Sequence, residues 1–299
     1  MKNYHKNLTI IIVTFQSEYY LNNLLNKLKN LKVVIVENSN DNNFKKKIES
    51  KYKNVTCILT GSNIGFGRAL NLAIKKFKSK FYLIMNPDCK FELETITQLY
   101  NLIMKDKKIS VISPTTIDKK NRLVTNHGYF ISTLFKKNYF ENHLLKQVDF
   151  VIGHFFLINK NIFRKVGVFD KNIFLNYEEI DLFKRLKSKN YKIFIHKKTS
   201  VKHLGGQSCF IKRNKLQSIH EFTKTSKWHL AWSKFYYYKK NYNYLIALTI
   251  NLIFFFQNTL KYLFFLIKGD IKKKEISLCF IQGSWASFLN KKSFYRPKV

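Results

Sequence analysis

The strongest constraint on the fold is an alternation over residues 1–117 between short β-branched apolar runs and amphipathic stretches. Residues 8–15 (LTIIIVTF), 32–37 (KVVIVE), 55–60 (VTCILT), 81–85 (FYLIM) and 110–114 are almost continuously apolar. That is the pattern of strands buried on both faces of a parallel sheet. Between the first two runs, Tyr20, Leu21, Leu24, Leu25, Leu28 and Leu31 recur at helical spacing, with Ser17 as the N-cap candidate. Residues 65–77 and 92–104 repeat the helical pattern. Parallel neighbours need a crossover, so strand, helix, strand with short links predicts a doubly wound α/β sheet. In such sheets ligands bind at the carboxyl ends of the strands.

From about residue 118 the pattern changes. Residues 125–140 are irregular, 150–158 form another apolar run, and 161–166 read as a helix stopped by Gly167. A further helix spans about 178–189, and 211–299 carries basic clusters and aromatic runs without strand alternation. The expected division is therefore 1–117, 118–210 and 211–299. Residues 244–267 are long enough to cross a bilayer, but Thr249, Asn251, Gln257, Asn258, Thr259 and Lys261 interrupt them. Lys239, Lys240, Lys272, Lys273 and Lys274 flank the stretch. A surface-lying helix tolerates a polar stripe and basic flanks, so interfacial attachment is the first expectation, ahead of a span or ordinary packing.

Composition excludes several classes. With 45% apolar and 16% aromatic residues the chain can bury a core, and 10 Gly and 3 Pro exclude a collagen-like or low-complexity chain. Cys57, Cys89, Cys209 and Cys279 show no ligand-pair spacing, which argues against a disulfide framework or structural zinc and for a reducing compartment. Residues 1–7 are not apolar, and 8–15 is too short for a signal-peptide core. The 54 Lys and Arg against 18 Asp and Glu leave +36, which calls for an anionic partner: nucleic acid, acidic headgroups or a pyrophosphate compound. A general lysine bias gives the same sum without a partner.

Polar residues gather where the strands end: Thr14 and Phe15, then Glu37 and Asn38, then the loop 61–68 (GSNIGFGR), then Asn86, Pro87 and Asp88. Turn chemistry accounts for each alone, whereas four together at one sheet edge point to a binding site. GFGRAL fits the dinucleotide fingerprint poorly, because Leu70 replaces the third glycine and the loop follows the third strand. Arg68 and Asn71 instead offer side-chain donors to a phosphate or sugar. Asp88 behind a stiff proline can seed a magnesium or manganese site completed by substrate phosphates, and the same three residues also make a good β-turn. Glu178, Glu179 and Asp181 crowd one helix start. The helix dipole and an Asp181–Arg185 pair explain them structurally, and one of them as a general base explains them chemically. His203, just before Gly205 and Gly206, is a candidate metal ligand or phosphate contact.

In order along the chain, these segments resemble the inverting family 2 glycosyltransferases of the GT-A fold, in particular the bacterial rhamnosyltransferase-like branch. VVIVENSNDN is similar to V-V-D-N-x-S-x-D, and NIGFGRALN to N-x-G-F-[AG]-x-[AG]-x-N. LIMNPD stands where the metal-binding D-x-D lies. The segment from VIGHFFLIN to NYEEIDLFKRL is similar to G-[AS]-x-[ML]-x-[IVL] followed by G-x-F-D and F-x-Y-x-E-D-x-D-[LF]-x-x-R-L, and VKHLGGQS follows it. Lys227, Trp228, His229, Gly283 and residues 293–297 resemble the helical extension that many members carry.

The resemblance implies that 1–117 is a nucleotide-sugar-binding half, 118–210 an acceptor-binding and catalytic half, and 211–299 a membrane-associating helical extension. Thr14, Phe15, Glu37 and Asn38 would line the base and ribose pocket. Asn63, Gly65, Phe66, Arg68, Asn71 and Asn86 would face the donor's diphosphate and sugar. Asp88 and His203 would hold Mg2+ or Mn2+, and Glu179, Glu178 or Asp181 would serve the acceptor hydroxyl. The departures that bear on the chemistry are Glu37 for Asp, Glu179 for the Asp of Glu-Asp, and Asn86 for the first acid of D-x-D. The expected reaction is inverting transfer of a sugar, L-rhamnose from dTDP-rhamnose, to a saccharide hydroxyl. The acceptor would be lipid-linked, in cell-surface polysaccharide or lipopolysaccharide synthesis on the cytoplasmic face of a bacterial membrane. No specific nucleic acid partner is expected, and homo-oligomerisation stays open. The alternatives are transfer of galactofuranose, a hexose or an N-acetylhexosamine from a UDP-sugar, or a non-enzymatic basic nucleic-acid-binding protein.

Overall fold

The computed structural model describes residues 6–131, 139–205 and 215–296; Gly206, Gln207, Ser208, Cys209 and Pro297, singled out above, lie outside them. The chain divides into two compact units: Met1–Ile64, Arg68–Phe169 and Leu182–Ser208 in the first, and Gly65–Gly67, Asp170–Asp181 and Cys209–Val299 in the second.

In chain order the elements are β1 (Leu8–Thr14), α1 (Glu18–Lys27), β2 (Lys32–Glu37), α2 (Asn42–Lys51), β3 (Val55–Leu59), α3 (Phe66–Lys76) and β4 (Phe81–Met85). Then come β5 (Cys89–Lys90), α4 (Leu93–Lys105), β6 (Ile109–Ile117), β7 (Leu123–Val124), β8 (His127–Gly128), β9 (Leu145–Val148) and β10 (Phe150–Val151). β11 (Phe155–Asn159), α5 (Asn161–Val166), α6 (Glu178–Ser188) and β12 (Lys192–His203) follow, before α7 (Lys215–Asn241), α8 (Tyr244–Ile267) and α9 (Ile271–Phe288).

The main sheet has the order β3-β2-β1-β4-β11-β6-β12-β5. β1, β2, β3 and β4 pair in parallel, with Ile10, Ile12, Val33, Ile35 and Leu83 buried in the core beneath them; β1, β2 and β4 are buried on both faces as expected, whereas β3, at the sheet edge, exposes Thr56. The expected α/β class holds, but the sheet is mixed. β11 runs antiparallel between β4 and β6, and β12 is parallel to β6. After β6 the chain turns back at the carboxyl edge of the sheet, and an antiparallel strand entered from there needs no crossover helix. The apolar run 150–158 accordingly breaks into β10, which pairs with β8 in a separate two-stranded sheet, and β11.

Other sequence expectations change in detail. α2 escaped the periodicity because it buries only Phe44 and Ile48; Asp41 caps it by accepting from the Phe44 N–H at 2.8 Å. Ser17 occupies the N-cap position of α1 without a side-chain cap bond, and its hydroxyl donates to the Phe15 carbonyl at 3.2 Å. β12 mixes lysines with buried Ile193, Phe194, Ile195 and Val201, and its register shifts at His196/Ser200.

The second unit contains α7, α8 and α9. A Cβ on Gly283 would lie 2.2 Å from the Trp228 carbonyl oxygen, so only glycine lets α9 approach α7 this closely. Trp228, Trp232, Cys279 and Ala286 form the core of that contact. α8 has its polarity reversed relative to a soluble helix. Asn251 (7% exposed) and Asn258 (3%) are buried, while Phe256 (63%), Leu260 (67%) and Ile267 (86%) face outward. Among the described residues it is the one helix long and apolar enough to cross a membrane.

Candidate active site

Asn86, Pro87 and Asp88 follow β4 at the carboxyl edge of the sheet. The strand pairings converge on this turn. Phe155 is opposite Met85, so the chain enters β11 beside Asn86, and His203 at the end of β12 is opposite Cys89. The Asp88 side chain is fully buried, and neither carboxylate oxygen has a hydrogen bond. Its Oδ1 lies 3.4 Å from His203 Nε2, which in turn is 3.4 Å from Asn86 Nδ2. A buried carboxylate without donors is costly. One carboxylate with one imidazole is a donor set suited to Mg2+ or Mn2+ when substrate phosphates complete the shell.

Ligand atoms of Asp88, Cys89 and His203 lie within 4.8 Å of one another. Cys89 does not belong to the donor set. Its thiol donates to the His154 carbonyl at 3.2 Å, and burial, with the Asp88 charge beside it, raises its pKa well above the usual thiol value. Soft sulfur also suits Mg2+ and Mn2+ less well than a carboxylate oxygen.

His154, which the sequence reading passed over, stands against the same turn. Its ring stacks on His203 with centroids 4.5 Å apart and planes 7° apart, and its Nε2 is 2.7 Å from the Thr116 hydroxyl. Burial, with His203 adjacent, lowers its pKa to about 3, so the ring is neutral. The signal was available in VIGHFF, where an imidazole interrupts an apolar run at the position the resemblance reserves for Ala or Ser.

At the neighbouring strand ends, Glu37 is buried and accepts from the Thr14 hydroxyl at 2.6 Å and the Gln16 N–H at 3.1 Å. Gln16 has φ 56°, so the carboxylate pins the left-handed turn after β1. Phe15, at the head of that turn, is half-buried. Asn38 Oδ1 accepts from the Thr60 hydroxyl (3.3 Å) and the Ile64 N–H (3.4 Å), tying β2 to the next loop. In that loop Asn63 is half-buried, and Arg68 is exposed on the first turn of α3. The Asn71 amide donates to the Phe169 carbonyl at 2.9 Å and accepts from its N–H at 3.0 Å, so it braces backbone.

In the second unit, Gly65 has φ +91° and a Cβ there would lie 2.3 Å from the Phe174 carbonyl oxygen, which also accepts from the Phe66 N–H at 3.1 Å. Beyond Phe174, Asn176 and Tyr177 both have positive φ (64° and 70°), a strained turn that delivers the head of α6. α7 holds that turn. The Asn176 amide donates to the Ser226 carbonyl (2.9 Å), and the Ser233 hydroxyl donates to the Leu175 carbonyl (3.1 Å).

The three acids that the sequence left equivalent are now distinct. Asp181 is buried, ion-paired with Lys240 at 2.8 Å and hydrogen-bonded by the Asn241 amide at 3.1 Å; Lys240 also reaches Asp170 at 2.6 Å. Glu178 is buried with Oε2 unpartnered, and burial, followed by the nearby Glu179, drives its pKa well above the usual carboxylate value. Glu179 is half-buried.

Residues 9–167, more than half of the chain, match the family model described as Glycosyl transferase family 2, and the chain belongs to that family. It is 27% identical over 197 residues to the low-salt glycan biosynthesis hexosyltransferase Agl10 of Haloferax volcanii, covering 62% of this chain and 63% of that protein. It is 28% identical over 204 residues to the dTDP-rhamnosyl transferase RfbF of Shigella flexneri, covering 64% and 66%. The chain thus spans just under two thirds of the length of each, and neither likeness assigns it to a particular branch of the family. Among solved structures, the mannosyltransferase PcManGT from Pyrobaculum calidifontis, in complex with GDP-Man and Mn2+, superposes with a TM-score of 0.55 at 10% identity, over 97% of this chain and 89% of that one. At that identity the likeness is one of fold, and the mixed α/β core is that of the GT-A fold.

Proposed function

We propose that the chain is a glycosyltransferase that moves a sugar from a nucleoside-diphosphate donor to a saccharide hydroxyl with a divalent cation. The observation that carries this reading is Asp88, a buried carboxylate with no hydrogen bond, 3.4 Å from an imidazole nitrogen at the carboxyl edge of the sheet. Asp88 and His203 would hold that cation, which would supply positive charge opposite the departing diphosphate. Thr14, Phe15, Glu37 and Asn38 take the base and ribose, and the exposed Arg68 offers its guanidinium to the phosphates. Glu179 accepts the proton of the attacking hydroxyl, and attack from the face opposite the leaving group inverts the anomeric carbon. Residues 1–117 then serve the donor and 118–210 the acceptor. The relative from Shigella supports L-rhamnose from dTDP-rhamnose as the donor, and the relative from Haloferax supports a hexose.

The test is nucleoside-diphosphate release by the purified chain across dTDP-, UDP- and GDP-sugars, with Mg2+ or Mn2+ and a bacterial lipid extract as acceptor source. Release from one donor, raised by the lipid, is expected. Failure with every donor, together with tight salt-sensitive binding to RNA, overturns the reading in favour of a nucleic-acid binder.

The outward apolar face of α8 supports a lipid-linked acceptor met at a membrane on its cytoplasmic face. Asn251 and Asn258 turn inward, so that face is suited to hydrocarbon, and exposed Lys261, Lys268 and Lys272 are suited to anionic headgroups. The wild-type chain is expected to float with phosphatidylglycerol vesicles, and replacing Leu252, Phe256 and Leu260 with glutamine to leave it in the dense fraction. A wild-type chain that stays below the vesicles at low salt refutes the attachment.

A further inference from the structure

We infer that His154 is a positioning residue of the cation centre: its ring is the platform that holds the His203 imidazole in the orientation that ligates, while its carbonyl holds the turn that presents Asp88. The inference rests on the proposed cation-assisted transfer.

One residue grips both halves of the centre. Its carbonyl accepts from the Asn86 N–H at 2.9 Å and from the Cys89 thiol at 3.2 Å, the two residues that bracket Pro87 and Asp88. Its ring lies parallel to His203 at 4.5 Å and is itself held through Nε2 by the Thr116 hydroxyl at 2.7 Å. A chain of contacts thus runs from β6 through His154 to His203, so that the ligand is oriented before an ion arrives. Orientation in advance matters because a free imidazole loses rotamer entropy on binding an ion, and outer partners that fix a ligand ring strengthen metal binding.

Simple core filling does not account for the residue. His154 is buried with Nδ1 unpartnered, a cost that a leucine or phenylalanine of similar size avoids. A leucine lacks the flat face that stacks on His203, and the Ala or Ser of the resembling pattern would leave that face bare.

The test is Mn2+ binding, read from the loss of the free-ion electron paramagnetic resonance signal, with dTDP, UDP or GDP present. His154→Ala, His154→Leu and His154→Phe are compared with wild type, each checked for folding by circular dichroism and melting. His154→Ala and His154→Leu are expected to weaken Mn2+ binding about tenfold or more, and His154→Phe, which keeps a flat ring, to recover most of it. If His154→Ala does not fold, the Leu and Phe pair decides, because core filling predicts equal recovery by both and stacking predicts recovery by Phe alone. A folded His154→Ala or His154→Leu with wild-type Mn2+ affinity overturns the inference, as does equal recovery by Leu and Phe or a wild-type chain that binds no Mn2+. If His154→Leu binds and transfers normally while Asp88→Ala does neither, this inference falls and the transferase reading stands. Absence of sugar transfer by wild type with any donor removes that reading instead.

Discussion

Asp88→Asn abolishes measurable sugar transfer, a loss of roughly a thousandfold or more, while the metal-free protein melts no lower than wild type. The first half follows from the loss of the single buried carboxylate of the proposed cation site. The second follows from its surroundings. Both carboxylate oxygens lie buried without a donor, so an amide of the same shape removes an uncompensated charge. Relief of that kind is worth about 1–3 kcal/mol. Wild type has the opposite dependence on the ion, because a ligand at about a hundred times its dissociation constant stabilises the folded state by about 2.7 kcal/mol. Melting curves with and without Mn2+ and a nucleoside diphosphate therefore show a rise for wild type and none for Asp88→Asn. A variant that melts well below wild type and is still raised by Mn2+ would mean that Asp88 is a structural turn residue and that the ion binds elsewhere.

Glu179→Gln lowers kcat by about 10²–10⁴ with little change in KM or stability, the range expected for loss of a general base. The acids beside it respond differently because their surroundings differ. Lys240→Met leaves Asp181 and Asp170 without their shared cation and costs about 3 kcal/mol of stability, so its loss of activity tracks unfolding. Glu178→Gln retains most activity, since burial disfavours the charged carboxylate there and an amide replaces the acid almost isosterically. Its signature lies in pH. The folded pKa of Glu178 is raised, so between the ordinary glutamate range and that raised value the native state holds a proton that the unfolded state releases, and stability falls as pH climbs through that window. Glu178→Gln flattens this decline in denaturant titrations. Wild-type kcat in Glu179→Gln, with activity lost in Glu178→Gln, would transfer the base assignment to the buried acid.

The parallel half of the sheet was readable because its strands are apolar on both faces, and its ligand edge because each strand stops at polar turn residues. α2 was not readable because two buried residues make no stripe. The inserted β11 was not, because an apolar run carries no sign of its direction or of the strands it will join.

The candidate site shows the same division. The turn at Asp88, the glycine loop and the acidic helix start were visible as local combinations of residue types, and so was the family pattern they follow in order. Which side chains meet was not visible. His203 reaches Asp88 because β12 pairs with β5 more than a hundred residues away along the chain, and His154 joins them only because β11 lies against β4. Glu178, Glu179 and Asp181 are equivalent as text and separate only when one is buried alone, one is paired with Lys240 and one stays near solvent. Periodicity, turns and strand ends depend on neighbours a few residues apart, so the chain displays them directly. Burial, ion pairing and the protonation states that follow depend on partners brought in by chain closure, so the folded structure alone decides them.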